Sequence, residues 1–207
     1  AVPLTAVIFL NYFRNVLSAS SHNPGVAIEE RTLMVDGLES KTELLRFGKL
    51  IDLFGKENTI AVGVASFEVD SGYYTIFRPQ SSFYDKDLVK SSLKKEVLKG
   101  MPLYIELSRK VKLNLVMAAR SIMAQYLYFY SLFQSYQTQF CIQERHYATS
   151  PIKNFLFKRF GGQYSASIQK NVHQLGRNGF YYDADILFTL GKRSIDRAIE
   201  YGSRIRK

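Results

Sequence analysis

The segment 59–67 reads Thr-Ile-Ala-Val-Gly-Val-Ala-Ser-Phe, and the segment 73–78 reads Tyr-Tyr-Thr-Ile-Phe-Arg. β-Branched and aromatic residues fill much of both segments, which is typical of β-strands. Asp70-Ser71-Gly72 lies between them and has the composition of a tight turn. The two segments and their turn therefore predict an antiparallel β-hairpin, and Arg31 to Val35 can add a third short strand.

Helical patterns fill most of the remaining sequence. Ser40 and Glu43 have the spacing of a capping box, in which each side chain accepts a hydrogen bond from the other residue's backbone N–H. Gly55 provides a stop for the helix that follows them. Further helices are predicted from Asp85 to Lys99, over 108–147, near 152–175 and near 183–206.

The segment 108–147 is predicted as one long aromatic helix or as two helices that break near Ser131 or Ser135. Together these patterns predict a helix-rich α+β fold with a small antiparallel β-hairpin layer. We expect a single domain over 1–207. Within it, residues 1–84 form an acid-leaning region with helices and the hairpin, and residues 85–207 form a basic helical region.

Charge is distributed unevenly along the chain, which has 28 Lys and Arg, 18 Asp and Glu, and a net charge of +10. Residues 1–84 carry 7 basic and 9 acidic side chains, a net charge of −2, so residues 85–207 carry the other 21 and 9, a net charge of +12. A field of that sign attracts nucleic acid, an acidic protein or an anionic membrane surface.

Several chemistries lack a signature in the sequence. One cysteine, Cys141, is too few for a disulfide framework or a Cys-rich zinc site. His22, His146 and His173 have no His, Cys or carboxylate partner at i,i+4 spacing. No phosphate-binding loop or hydrolase motif is present. We therefore predict no catalytic residue, no metal and no cofactor.

Two surfaces are predicted to make contacts with partners. One stripe of the final predicted helix contains Arg193, Arg197, Glu200, Arg204 and Lys207. This stripe is either a binding surface or a solvated face with internal ion pairs. The residues predicted to bind an acidic partner are Lys90, Lys94, Arg193, Arg197, Arg204 and Lys207. The residues of the aromatic helix predicted to form a protein interface are Tyr126, Tyr130, Phe133 and Tyr136. A buried core helix is the alternative for this second group.

One short motif suggests an enzyme instead. In Asp183-Ala184-Asp185 the two carboxylates lie on one side of an extended strand, where they can share a divalent metal as in nucleotide-sugar transferases. The same tripeptide also fits a helix N-cap with a favourable charge in the first turn.

These observations favour a non-enzymatic structural subunit of a larger assembly. Its partners would be other protein subunits, together with nucleic acid or an acidic protein. The basic C-terminal part would bind this acidic partner. With acidic protein subunits as partners, the chain would act as a linker. The alternative is a metal-dependent transferase that uses Asp183 and Asp185. No transmembrane segment is predicted, because the longest uncharged run, Ser121 to Gln143, contains many Gln, Ser and Tyr residues. The sequence indicates no compartment.

Overall fold

The computed structural model describes residues 7, 10, 11, 14, 15, 29–64, 67, 72–77, 86–144, 150–169 and 182–206. The chain forms two compact units. The sheet unit comprises residues 28–79 and 133–207, and the helical unit comprises residues 1–27 and 80–132. Much of the helical unit is therefore an insertion in the sequence of the sheet unit.

The sheet unit is built on a six-stranded sheet. Its strands are β1 (Glu29–Leu38), β2 (Thr59–Gly63), β3 (Tyr74–Phe77), β4 (Tyr136–Gln143), β5 (Tyr164–Ile168) and β7 (Ile186–Phe188). They lie in the order β3-β2-β1-β4-β5-β7, and every described pairing is parallel. Two further short strands, β6 (Asp183–Ala184) and β8 (Arg204–Ile205), pair with each other in parallel.

The described residues of the sheet unit form the helices α1 (Lys41–Arg46), α2 (Gly48–Phe54), α6 (Pro151–Arg159) and α7 (Lys192–Glu200), with a 3₁₀ turn at Lys56–Asn58. The helical unit contains α3 (Lys86–Leu93), a π-helical segment (Lys94–Gly100), α4 (Met101–Val111) and most of α5 (Leu115–Ser135). The core of the helical unit contains Val89, Met101, Val116 and Leu127.

The predicted α+β class with an antiparallel hairpin is wrong, and the fold is α/β. β2 pairs with β3 in parallel, with Ile60 opposite Tyr74 and Gly63 opposite Phe77. Strand propensity indicates that these residues are extended but does not give the direction of pairing. All five residues of β2 are buried, which is typical of parallel strands because helices cover both faces of their sheet.

The predicted boundaries of the helices also need correction. The segment predicted as helix over 108–147 contains the end of α4, which stops at Val111, then α5 over Leu115–Ser135, and strand β4 over Tyr136–Gln143. The regions 152–175 and 183–206 contain the strands β5 to β8 as well as α6 and α7. The helix predictions in these regions rest on apolar residues at intervals of three and four. Short apolar runs fit a strand as well as a helix, so this pattern does not distinguish the two.

The N-cap half of the capping box is confirmed, because α1 begins after Ser40, whose Oγ accepts a hydrogen bond from the backbone N–H of Glu43 at 3.3 Å. The carboxylate of Glu43 accepts from the backbone N–H of Glu39 at 2.7 Å. The stop at Gly55 is also confirmed, since this residue has φ 88° at the end of α2. That left-handed conformation is accessible mainly to glycine.

The two faces of the sheet differ in chemistry. One face carries Leu33, Val35 and Ile142, which pack in one apolar cluster with Leu44 of α1 and Ile51 of α2. The other face carries polar residues at the ends of β1, β4 and β5 and is covered by α6. The chain runs from β1 outward to β3 and then returns to β4 on the opposite side of β1. In open α/β sheets such a reversal opens a crevice at the carboxyl ends of the two central strands, where ligands bind.

Candidate functional site

A row of polar side chains crosses three strands near their carboxyl ends. Asp36 of β1 lies in register with Gln143 of β4, which lies in register with Ser167 of β5. Residues in register on adjacent parallel strands point to the same face of the sheet. All three are buried, and buried polar groups in native proteins are normally hydrogen-bonded to the protein or to water. Oγ of Ser167 has no partner among the described residues.

Lys153 of α6 provides the partner for two of these residues. Its Nζ lies 2.5 Å from Oδ2 of Asp36 and donates to Oε1 of Gln143 at 2.6 Å. α6 begins after Ser150, whose Oγ accepts from the backbone N–H of Lys153, and Pro151 occupies the first turn. Pro is favoured at this position because its nitrogen has no hydrogen to leave unsatisfied. This N-terminus places the lysine on the polar row.

Asp185 forms a second neutralised centre. Its Oδ2 accepts from the backbone N–H of Ser165 at 2.7 Å and from Nζ of Lys158 at 2.6 Å, and its Oδ1 accepts from Arg206 at 2.9 Å. Burial raises the pKa of the Asp185 carboxyl, but the hydrogen bonds from Lys158 and Ser165 and the charge of Lys158 outweigh this effect, so the pKa lies below its ordinary value.

Asp183 has different surroundings. Its Oδ1 accepts from Nδ2 of Asn154 at 2.6 Å, and among the described residues it has no cationic partner. Asp183 and Asn154 line a cavity of about 20 Å³ between α6 and the sheet. Its other lining residues are Cys141, Gln143, Ser150, Lys153, Phe157, Ser165, Ala166 and Ala184. We call this space the edge cavity.

This region therefore contains three buried carboxylates whose partners differ in charge. Asp36 and Asp185 are each neutralised by cationic side chains, whereas Asp183 is bound by a neutral amide. Within the described ranges, no group of three or more His, Cys, Asp and Glu residues is arranged to hold a metal ion. The transferase hypothesis remains a prediction, and both oxygens of its Asp185 already accept hydrogen bonds.

The residues predicted to bind an acidic partner lie in both units. Lys90 and Lys94 belong to the helical unit and are exposed, and Nζ of Lys90 lies 3.8 Å from Asp87. In the sheet unit, Arg193, Arg197 and Arg204 are exposed. Arg193 and Arg197 lie on α7 and Arg204 on β8, so the single helical stripe predicted for them ends at Glu200. Lys207 lies outside the described residues.

The residues predicted to form a protein interface divide into two pairs. Phe133 and Tyr136 are buried in the sheet unit. The ring of Phe133 packs against Phe157 at 5.5 Å, and the Tyr136 hydroxyl lies 2.9 Å from that of Tyr74. Tyr126 and Tyr130 are half-buried on α5, with ring centroids 5.8 Å apart. The first pair thus packs within its own unit, and the second retains partly accessible rings.

Sequence reasoning missed most of the polar cluster. Asp36 had one signal, a single charge at the end of the apolar run Leu33-Met34-Val35, since an isolated charge in a buried strand requires a partner. Lys153 and Asn154 had none, because polar residues after a proline are ordinary on an amphipathic helix. Only the fold brings them to Asp36 and Asp183.

Among the described residues, no helix is long and apolar enough to cross a membrane. Comparison with known proteins gives no relative: no protein-family model, no curated protein and no solved structure matches the chain.

Proposed function

We propose that the protein is a non-enzymatic structural subunit of a larger assembly, and that its basic C-terminal part binds an acidic partner, either nucleic acid or an acidic protein. The observation that supports this proposal is how the positive charges are partnered in the sheet unit. Cations at buried carboxylates are neutralised, whereas several exposed cations have no acidic partner among the described residues.

The neutralised cations are those of the polar cluster. Lys153 pairs with Asp36, while Lys158 and Arg206 pair with Asp185. Each of these cations is held at a buried carboxylate, and the two cations at Asp185 leave one net positive charge there.

The outward cations behave differently. Arg193 and Arg204 are exposed, and neither forms an ion pair with any described residue. Arg197 pairs with Glu200 at 2.7 Å on the surface of α7, and exposed pairs of this kind contribute little to stability. Arg197 can therefore exchange Glu200 for a phosphate or a carboxylate of a partner at small cost.

Fluorescence anisotropy tests the proposal with two labelled probes, a single-stranded oligonucleotide and polyglutamate. We expect the wild type to bind at least one probe and the double variant Arg193→Gln/Arg204→Gln to bind it more weakly. A control, Lys49→Gln, removes an exposed cation from α2 and should leave binding unchanged. A loss in the control of half the loss in the double variant or more would reduce the effect to net charge, since the control removes one charge and the double variant two, and would contradict a defined surface. Absence of binding to both probes would contradict the proposed partner class.

A further inference from the structure

The turn between α4 and α5 exposes apolar side chains to solvent. Every residue from Arg109 to Asn114 is exposed, and within this run Val111 is 50% and Leu113 is 65% accessible. Met117, on the first turn of α5, is exposed as well. Exposed apolar residues that cluster, rather than occur singly, mark sites of contact with proteins or membranes. We call residues 109–114 the basic turn.

The conformation of the basic turn is held by hydrogen bonds. Lys112 follows the last residue of α4 in the left-handed conformation, with φ 55°. Oγ of the buried Ser108 accepts from the backbone N–H of Leu115 at 3.0 Å, and Oδ1 of Asn114 accepts from the backbone N–H of Met117 at 3.3 Å. These bonds connect the two helices and cap α5. The exposure of the two apolar side chains is therefore a feature of an ordered turn.

The charge around these apolar side chains is positive. The turn contains Arg109, Lys110 and Lys112, all of them exposed. Lys110 pairs with Glu106 at 2.7 Å on the surface of α4. The other two cations form no ion pair with any described residue. After Glu106 the sequence has no acidic residue before Glu144, so the turn combines positive charge that is not compensated locally with exposed aliphatic surface.

We propose that the basic turn docks on the surface of an anionic lipid bilayer, with Val111 and Leu113 inserted at the level of the headgroups and the cations at the lipid phosphates. Such a surface rewards both features, because apolar side chains are buried at the boundary of headgroups and acyl chains while Lys and Arg attract anionic lipids. The proposal does not rest on the proposed function, since the turn belongs to the helical unit and Arg193 and Arg204 belong to the sheet unit.

Nucleic acid and protein partners fit the basic turn less well. Single-stranded nucleic acids stack their bases on aromatic side chains, and residues 109–117 include no aromatic residue. A standard protein interface uses about 20–30 residues on each side and is depleted in Lys. The continuous exposed run here covers residues 109–114 and includes two lysines. A bilayer needs no matching shape, so a short exposed turn is sufficient for contact.

Cosedimentation with vesicles tests the proposal. Vesicles of phosphatidylcholine alone are compared with vesicles of phosphatidylcholine and phosphatidylserine, and we expect binding to the anionic vesicles and not to the neutral ones. Val111→Asn/Leu113→Asn should lower the partition coefficient at least about tenfold, because the apolar side chains no longer transfer out of water. The matched control is Leu45→Asn/Leu53→Asn, which replaces two exposed leucines of α1 and α2 and should leave binding unchanged.

A second pair of variants tests the role of charge. Arg109→Gln/Lys112→Gln should lower the partition coefficient by roughly 25-fold, about fivefold for each cation near the lipid surface. The control Lys49→Gln/Lys192→Gln removes the same net charge from exposed positions of the sheet unit. This control should lower the partition coefficient by less than about fivefold, since its cations do not contact the lipid.

Fluorescence keeps the test decisive if a double variant does not fold. The chain has no Trp, so Leu113→Trp and Leu53→Trp each introduce a single probe. The emission of Leu113→Trp should shift to shorter wavelength when anionic vesicles are added, because the indole ring enters the interface between membrane and water. The emission of Leu53→Trp should stay unchanged.

Several results would overturn the proposal. Absence of binding to anionic vesicles, or equal binding to neutral and anionic vesicles, would contradict it. An equal partition coefficient for Val111→Asn/Leu113→Asn and the wild type would reduce binding to charge attraction without insertion, as would an unshifted emission of Leu113→Trp. An oligonucleotide bound by the wild type but not by Val111→Asn/Leu113→Asn would assign the basic turn to nucleic acid instead.

Discussion

The ion pair between Lys153 and Asp36 joins α6 to β1 inside the sheet unit. Both side chains are buried, and Nζ lies 2.5 Å from Oδ2. A buried ion pair adds little net stability, because desolvation offsets the attraction, but removal of one partner leaves a charge without compensation. The pair therefore favours the position of α6 on the sheet in which Lys153 reaches Asp36.

Lys153→Met should destabilise the protein by about 3–5 kcal/mol, since Asp36 would remain buried and unpaired. Urea unfolding measures this free energy. Lys49→Met, at an exposed position of α2, should stay within about 0.5 kcal/mol of the wild type. Asp36→Val/Lys153→Met removes both charges and should be more stable than Lys153→Met alone. A double variant no more stable than the single one would contradict this account.

Acid should destabilise the protein partly through Asp185. Burial raises the pKa of this carboxyl, but hydrogen bonds from Lys158 and Ser165 outweigh that effect, so the pKa is lowered in the folded state. The stability that Asp185 contributes is therefore complete above the ordinary Asp pKa of about 3.9, and it is lost as the pH falls through the lower folded value.

The unfolding free energy should consequently fall more steeply below about pH 4 in the wild type than in Asp185→Asn, which has no carboxyl to titrate at this position. Urea unfolding between neutral and acidic pH gives both curves. Parallel curves over the whole range would show that Asp185 is not the group responsible.

Among the elements, the turn between α6 and β5 is held by close packing. A Cβ added at Gly162 would clash with the ring of Phe157, which is buried and packs against Phe133 at 5.5 Å. The ring has little freedom to move away, because tightly packed cores resist added volume. Gly162 thus permits the chain to pass directly under α6 before it enters β5.

Gly162→Ala should therefore cost about 1–3 kcal/mol, the usual effect of overpacking a core. Gly48→Ala is the control, because an added Cβ at the start of α2 meets no atom within 4 Å. That variant should be unchanged or more stable by up to about 1 kcal/mol, since alanine favours helix. Differential scanning calorimetry of the two variants compares them directly, and equal Tm values would refute the packing argument.

Local signals in the sequence predicted those elements whose ends are determined by neighbouring residues. The N-cap at Ser40 and the stop at Gly55 depend only on contacts within a few residues, and both were predicted correctly. Strand β4 was predicted as helix. Tyr136–Gln143 becomes a strand through pairing with β1 and β5, which are distant in sequence, and a local pattern does not detect such pairing. Pairing of this kind overrides local propensity.

For the whole molecule, the direction of strand pairing and the polar cluster lay beyond reach of the sequence. β1 pairs in parallel with β4, although residues 80–132 of the helical unit lie between the two strands in sequence. No local pattern in the sequence encodes this pairing. The charge asymmetry, by contrast, can be read directly from the sequence, and it supports the proposed function. The fold distinguishes the cations held by buried carboxylates from Arg193 and Arg204, which are exposed and have no acidic partner among the described residues.

Salt dependence should distinguish phosphate contacts from other binding. Each phosphate contact on single-stranded nucleic acid contributes about −0.7 to the slope of log K against log salt concentration. If Arg193 and Arg204 each neutralise one phosphate, Arg193→Gln/Arg204→Gln should reduce the magnitude of the slope by about 1.4. Anisotropy titrations over a series of salt concentrations measure it. An unchanged slope would exclude these arginines from phosphate contact.

The most direct test of the central claim is size-exclusion chromatography with light scattering on protein from its native source, with absorbance recorded at 260 and 280 nm. The chain has no Trp, so its own absorbance at 280 nm is dominated by Tyr and bound nucleic acid is readily detected. We predict a particle much larger than one chain. A high 260/280 ratio would identify nucleic acid as the acidic partner, and a ratio typical of protein would identify acidic protein subunits. A monomer of a single chain, with no bound partner, would contradict the account.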